Sequence, residues 1–345
     1  MHHHAYSLKN YTPMKCHDIS SAHQRIAPHI YRTPLLTSSL LNNFLGGHEI
    51  TFKAECFQKI GAFKARGAIN KLLTLQEQQN LPNHVVAFSA GNHSQAVAWA
   101  AKQFGIKATI FLPKIASPIK IQATKALGAN VIITETRTEA EARTAALARD
   151  GAHLIHAFDD NAIIAGQGTA TFEAIQDMNH LPDIIFTACG GGGLLAGSYL
   201  AKEQLSPSSQ LYGVEPKNAN DASKSFKSGN IYRLTDSPNT IADGVRTLAL
   251  GERNFHYIKK INGFVEAEES EILYWTQWLT HLLKITIEPT AALAMAGAHK
   301  FLQSQNKPKR VLVILSGGNI STDTQQAIWA HDCLQTIPTL IKNTP

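Results

Sequence analysis

The chain has 345 residues, 44% of them hydrophobic and 17% charged, which excludes a disordered chain and gives length enough for two domains. No apolar run approaches the ~20 residues of a membrane helix, and the start Met1-His2-His3-His4 lacks the apolar core of an export signal. The formal net charge of +6 is scattered without an aromatic-rich strip, which argues for a solvated basic surface and against a nucleic-acid partner.

In chain order, residues 1–10 have no apolar periodicity and read as a tail, and Ile19 to Ala27 reads as a helix ended by Pro28. Arg32-Thr33-Pro34-Leu35-Leu36 reads as a turn. Ile50 to Ala54 reads as a strand, and Ala65 to Leu75 has helical spacing at Ala68, Ile69, Leu72 and Leu73. Lys64 therefore falls at a strand-to-helix junction, bracketed by Gly61 and Gly67. Apolar runs at His84–Phe88, Ala108–Leu112 and Val131–Ile133 then alternate with helical stretches at Ser94–Phe104, Pro118–Leu127 and Glu139–Arg149. A second series begins near Ala162, with strands at Asp183–Thr187, Gln210–Val214 and Arg310–Leu315. Such alternation predicts parallel strands joined by crossover helices, in two α/β domains with a cleft between them. Cys16, Cys56, Cys189 and Cys333 have no CxxC spacing, so neither a zinc site nor a disulfide framework is expected, in keeping with a reducing cytoplasm.

Four consecutive glycines, Gly190 to Gly193, lie between a strand ending at Cys189 and a helix starting near Leu194. Without side chains, backbone N–H groups can converge on a phosphate, and the helix start adds its positive dipole end. Which phosphate stays open locally. Gly191 to Ala196 also satisfies G-x-G-x-x-A, and Glu215 ends the next strand where a dinucleotide's ribose acceptor would lie. A nicotinamide-dependent oxidoreductase is the competing reading, although it leaves Lys64, Asn92 and Ser316 without a use. Ser89-Ala90-Gly91-Asn92-His93 joins a strand to a helix, where Asn92 alone reads equally well as a helix cap. Glu215-Pro216-Lys217-Asn218-Ala219-Asn220-Asp221 sets two carboxylates six residues apart. These oxygens suit a hard divalent cation, and a solvated turn is the simpler use of them.

Gly61-Ala62-Phe63-Lys64, Ser89 to His93, Gly190 to Leu194 and Ser316-Gly317-Gly318-Asn319 each follow an apolar strand-like run. Together they resemble the fold-type-II pyridoxal-phosphate enzymes, most closely the serine/threonine dehydratase (threonine ammonia-lyase) and serine racemase family. The resemblance runs from about Ile30 to Ile320. It implies a tryptophan synthase β-like α/β fold, two parallel-sheet domains with the cofactor in the cleft. Residues 1–79 and 162–345 would form the large cofactor-binding domain, and 80–161 the small domain with the substrate-carboxylate loop. Arg32 to Leu36 would border the cleft, and no regulatory domain is expected.

By the same resemblance Lys64 is the Schiff-base lysine and Phe63 packs under the pyridine ring. Asn92 hydrogen-bonds the cofactor's 3-oxygen, Gly190, Gly191, Gly192, Gly193 and Leu194 hold its phosphate, and the Ser316 hydroxyl faces the ring nitrogen. Gly244 passes close to the ring, and Glu288, in Glu288-Pro289-Thr290-Ala291-Ala292, lies near it. Ser89, Ala90, Gly91, Asn92 and His93 grip the substrate carboxylate, with Thr247 in reach of the substrate. Glu215, Asp221 and the Ala219 carbonyl are the expected Mg²⁺ or Ca²⁺ ligands. A cytoplasmic homodimer acting on a small amino acid is implied.

A neutral hydroxyl at Ser316 does not enforce ring protonation, so the ring is a weaker electron sink and prompt loss of a β-leaving group is favoured. Racemases of the family carry serine where this chain has Ala90, which has no proton to give. The expected activity is therefore elimination of ammonia from L-threonine or L-serine, giving 2-oxobutyrate or pyruvate. Alternatives are threo-3-hydroxyaspartate ammonia-lyase, with Arg137 as a spare cation, serine racemase, and a non-catalytic cofactor binder.

Overall fold

Among the described residues ten strands alternate with helices: β1 Leu35–Thr37, β2 Glu49–Ala54, β3 His84–Phe88, β4 Lys107–Pro113, β5 Asn130–Thr134, β6 His153–Leu154, β7 Ile184–Ala188, β8 Gln210–Pro216, β9 Gly263–Ala267 and β10 Arg310–Leu315. The computed structural model describes residues 12–340 apart from Ala90, Ile115 and Ser117. The expected tail at 1–10 and the position of Ala90 thus lie outside the described residues. Six strands form one sheet in the order β1-β2-β10-β7-β8-β9, and four form another in the order β5-β4-β3-β6. Every pairing is parallel except that of β1 with β2.

Parallel sheets need both faces covered, and the strand residues divide accordingly. In the larger sheet Val311, Val313, Leu315, Ile184 and Phe186 point into a core with the helices Glu269–Leu283 and Pro289–Leu302. Leu312, Ile314 and Ile185 point the other way, against Asn161–Asp177 and Gly193–Leu205. Those last two helices touch backbone to backbone: a Cβ on Gly197 would lie 2.5 Å from the Ile164 carbonyl oxygen. In the smaller sheet Val85, Ala87, Ile110 and Leu112 pack on the helices Lys64–Glu77 and Asn92–Gln103. Val86 and Phe111 pack on the Arg137–Arg149 side. The helix Lys64–Glu77 also packs on Asn161–Asp177, so it spans the two sheet systems.

Arg32 to Leu36 departs from the expected turn. Leu35 and Leu36 pair with Lys53 and Phe52 as an antiparallel edge strand, because Pro34, which lacks an N–H, sits at an edge-strand start where none is required. None of these residues lines the cleft described below. Thr33 instead joins a buried ion cluster, its hydroxyl donating to Glu55 (2.5 Å) and its carbonyl accepting from Lys53 Nζ (2.8 Å). Arg66 sits at the centre with no exposure, bonding both oxygens of Glu55 and both of Glu173. Lys53 adds a 2.9 Å bond to Glu173. The cluster ties β2, the turn after it and two helices together. Removing one partner would strand a buried charge, at ~3–5 kcal/mol.

Candidate active site

Strands β3 and β4 of the smaller sheet and β7 and β10 of the larger present their carboxyl ends to one cleft, the usual ligand position in open α/β sheets. Its cavity has a volume of about 770 Å³. Phe63, Lys64, Ser89, Gly91, Asn92, His93, Gly190, Gly191, Gly192, Gly193, Leu194, Gly244, Thr247, Glu288 and Ser316 all line it. Residues up to 253 positions apart in sequence therefore meet here, from Phe63 to Ser316.

Lys64 is the first residue of its helix. The segment before it is strapped to the end of β10: Phe63 N donates to Ser316 O (3.0 Å), and Gly318 N donates to Gly61 O (2.9 Å). Ile60 has φ +58° and Gly61 φ +69°. The left-handed region is costly for β-branched Ile60, on the order of 1–3 kcal/mol, and such strain gathers at functional sites. Asn319 Nδ2 donates to the Ile60 carbonyl at 2.7 Å, holding the strained turn. Lys64 Nζ reaches the Ala157 carbonyl (2.6 Å) and lies 5.2 Å from the Phe63 ring centroid. Burial lowers its amine from the ordinary 10.5 to about 8.

The glycine loop turns at Gly192, with φ +94°, and opens the helix Gly193–Leu205 with no side chain capping it. The first N–H groups of that helix have no intrahelical acceptor, which leaves them for an anion. Phe158 packs against the loop so closely that a Cβ on Gly191 would lie 2.4 Å from its ring. Asn254 Nδ2 donates to both Gly191 O (2.7 Å) and Phe158 O (3.2 Å). His156 Nδ1 accepts from Phe158 N (3.2 Å) and Asp159 N (2.8 Å), and burial depresses its imidazole to about 4.

Asn92 is not a cap. Gly91 is the N-cap, and the Asn92 amide donates to both oxygens of Glu288 (2.9 and 3.1 Å). Its Oδ1 accepts from Asn319 Nδ2 at 2.9 Å. Glu288 is buried and raised to about 7, first by burial, with Lys120 opposing. Lys120 bonds Asp243 at 2.5 Å across the cleft, and burial lowers its amine less than Glu288 and Asp243 raise it. Gly244 N donates to Thr290 Oγ1 (3.0 Å), and Ser89 Oγ accepts from Gly91 N (3.1 Å). His93 donates Nε2–H to Ile155 O (2.9 Å) and falls to about 3, through burial and then the Lys64 charge. The Ser316 and Thr247 hydroxyls are buried and have no partner among the described residues.

The expected metal ligands lie apart from this cavity. Glu215 is buried at the end of β8, its oxygens accepting from Ala222 N (3.0 Å) and Ser223 N (2.7 Å). Ala219 is buried in the turn before Asp221, and both Asp221 oxygens are buried without a partner among the described residues. Burial raises both carboxylates, Asp221 to about 7, and the Asp221 charge adds to the rise at Glu215. Among the described residues no group of three or more His, Cys, Asp or Glu converges on a metal position. The two unpartnered Asp221 oxygens nonetheless fit a divalent cation in their donor chemistry. Glu215 does not face the cleft, so it has no access to a ribose there, and the nicotinamide reading fails.

Sequence reasoning missed Ala157, Phe158, Lys120, Asn254 and the partnership of Asn319. Only Asn319 had a signal, inside Ser316-Gly317-Gly318-Asn319.

The fold and cleft define a two-sheet α/β enzyme with an amine facing an anion cradle. The pyridoxal-phosphate dependent enzyme family matches residues 26–317, and the chain belongs to that family. It is 41% identical to the L-threo-3-hydroxyaspartate ammonia-lyase of Saccharomyces cerevisiae over 308 residues, 88% of this chain and 92% of the relative. It is 40% identical to the serine racemase of Schizosaccharomyces pombe over 309 residues, 89% of this chain and 94% of the relative. The solved T.th. threonine deaminase superposes with a TM-score of 0.84 and 41% identity, covering 89% of this chain and 99% of that one. The residues present fit pyridoxal phosphate: an uncapped helix start for its phosphate, the orphan Ser316 hydroxyl for a ring nitrogen, and the Lys64 amine for its aldehyde.

Proposed function

We propose that the protein is an ammonia-lyase that eliminates water from L-threonine or L-serine and releases the 2-oxo acid and ammonia. The observation that carries this reading is Lys64, whose amine faces the cleft and is lowered to about 8, beside an unpartnered neutral hydroxyl at Ser316. An amine near that value is unprotonated in about one molecule in ten at pH 7, enough to serve as a general base. Lys64 takes the α-proton, and the Ala157 carbonyl holds the ammonium so formed. Bound pyridoxal phosphate supplies the electron sink for the charge left on the α-carbon. The Gly190–Leu194 loop would anchor its phosphate, Phe63 and Gly244 would flank its ring, and Asn92 and Ser316 would meet its 3-oxygen and its nitrogen. Ser89, Gly91 and His93 orient the substrate carboxylate, with Thr247 opposite. The β-hydroxyl leaves as water with the proton that Lys64 took, and a second water hydrolyses the remaining enamine to the 2-oxo acid and ammonia.

Ala90 supports elimination over racemisation, since the racemases this chain resembles carry serine at that position and alanine has no proton to give. A second substrate is favoured by the lining of the cavity, where Lys114 and Arg137 supply cations for a further carboxylate. That arrangement suits L-threo-3-hydroxyaspartate, the substrate named for the yeast relative. Steady-state release of 2-oxo acid from threonine, serine and hydroxyaspartate ranks the three. Release from none of them, with cofactor bound, would overturn the lyase reading.

Residues 80–161 are proposed as the small domain, supported by a four-stranded sheet drawn from residues 84–154. Glu215, Asp221 and the Ala219 carbonyl are proposed to hold Mg²⁺ or Ca²⁺. The cytoplasm and a homodimer complete the proposal.

A further inference from the structure

Asn319 joins three segments that are distant in sequence, and it does so with one atom. Its Nδ2 donates to the Ile60 carbonyl at 2.7 Å and to Asn92 Oδ1 at 2.9 Å. An amide nitrogen has two hydrogens, so both are used. The first bond holds the turn that delivers Lys64, at a residue with φ +58°. The second leaves Asn92 one orientation. With Oδ1 taken by Asn319 and Nδ2 against the Glu288 carboxylate at 2.9 and 3.1 Å, a flipped Asn92 would set amine against amine and carbonyl against carboxylate.

We propose that Asn319 is a positioning residue that orients the Asn92 amide and couples it to the Lys64 turn, so that one Asn92 N–H is shared by the two Glu288 oxygens and the other stays turned to the cofactor. The inference rests on the proposed contact of Asn92 with the cofactor's 3-oxygen. Asn319 acts as a directional donor toward two acceptors, and shape alone does not substitute. Aspartate has nearly the same shape but offers only acceptors when ionised, so Asn319→Asp sets oxygen against both Ile60 O and Asn92 Oδ1. Asn319→Ala merely deletes the donor. A directional role therefore makes the near-isosteric variant the worse of the two, and a space-filling role makes it the better.

The test uses full-length protein and pyridoxal phosphate, reading the absorbance maximum of the bound cofactor and its dissociation constant. Melting curves accompany each variant. Asn92→Ala is expected to move the maximum and to weaken binding about tenfold, as loss of one hydrogen bond to a buried group does. Asn319→Ala is expected to move the maximum in the same direction and to weaken binding several-fold, and Asn319→Asp to exceed it. Asn319→Ser, which keeps one donor of two, should fall between wild type and Asn319→Ala, and serves if Asn319→Asp does not fold. An unshifted maximum in Asn319→Asp, or a milder defect than in Asn319→Ala, overturns the proposal. So does recovery of Asn319→Ala by Ile60→Gly, because Asn319 would then act only by holding a strained turn. An unchanged Asn92→Ala instead removes the proposed Asn92 contact, and this inference with it.

Discussion

Replacing Lys64 with methionine should abolish turnover and at the same time stabilise the cofactor-free protein. Burial takes the amine from 10.5 to about 8, a difference equivalent to about 3 kcal/mol at ~1.36 kcal/mol per pH unit. The sign follows from proton counts. Between pH 8 and 10.5 the unfolded chain binds the proton that the folded chain has lost, so stability rises with pH. Below pH 8 the cost of burying the ammonium is present in full. Methionine keeps the length and the apolar stem but loses the 2.6 Å bond to the Ala157 carbonyl, which costs ~1–2 kcal/mol. The net gain at pH 7 is about 2 kcal/mol, or roughly 3 °C in Tm at ~2.1 cal/mol/K per residue for this length. Thermal scans of both cofactor-free proteins at pH 7 and pH 10 give the comparison. The advantage of Lys64→Met should shrink or reverse at pH 10, where the native amine is neutral in the fold. A variant that is less stable than wild type at pH 7, by the same margin as at pH 10, would show that Lys64 is not held against its ionisation.

Gly191→Ala places a methyl group 2.4 Å from the Phe158 ring; overpacking of that kind costs ~1–3 kcal/mol, and equilibrium dialysis should show weaker retention of pyridoxal phosphate. His93 and His156, at about 3 and about 4 against an ordinary 6.5, stabilise the fold fully above pH 6.5 and progressively less as pH falls toward those values. Between pH 7 and pH 5 this loss is opposed by Glu288 and Asp221, which are raised to about 7 and take up protons in the fold over the same range, so it is read as a difference: His93→Asn should remove about 2 kcal/mol of acid destabilisation, taken from the urea midpoints of both proteins at the two pH values. Chelator should lower the Tm of the native protein and added Mg²⁺ or Ca²⁺ restore it; Asp221→Ala that melts alike with and without metal would remove the proposed cation site.

The strand-to-helix junction at Lys64 was legible because its signals are local. An apolar run, two glycines and a 3.6-residue period lie within about 25 positions, and β2 and the helix Lys64–Glu77 form where that pattern puts them. The same holds for β3, β4, β7, β8 and β10, each a largely buried run long enough to read, and for β5, whose apolar run Val131–Ile133 is visible although half-exposed. β1 was not legible: three residues after a proline look like a turn, and they become a strand only because β2 offers its free edge. β6, two residues long, is likewise defined by its partner β3 and not by its own composition. The acidic spacing of Glu215 and Asp221 was visible, but the burial that leaves Asp221 without partners belongs to the fold.

Asn92 shows where local reading stops. An asparagine after a glycine at a helix start serves a cap and a ligand contact equally well, since both uses need the same side chain in the same place. The choice is made by Glu288, 196 positions away, and by Asn319, 227 positions away. Each of those residues also reads innocently alone: a glutamate before a proline suits a helix start, and an asparagine among glycines suits a turn. Their meaning comes from the two sheets bringing their strand ends to one cleft. A carbonyl such as Ala157 O is harder still, because every residue carries one and no side chain marks which will face an amine. Residues that bind by side-chain identity can therefore be proposed from sequence, while those that orient them emerge only when distant strand ends meet.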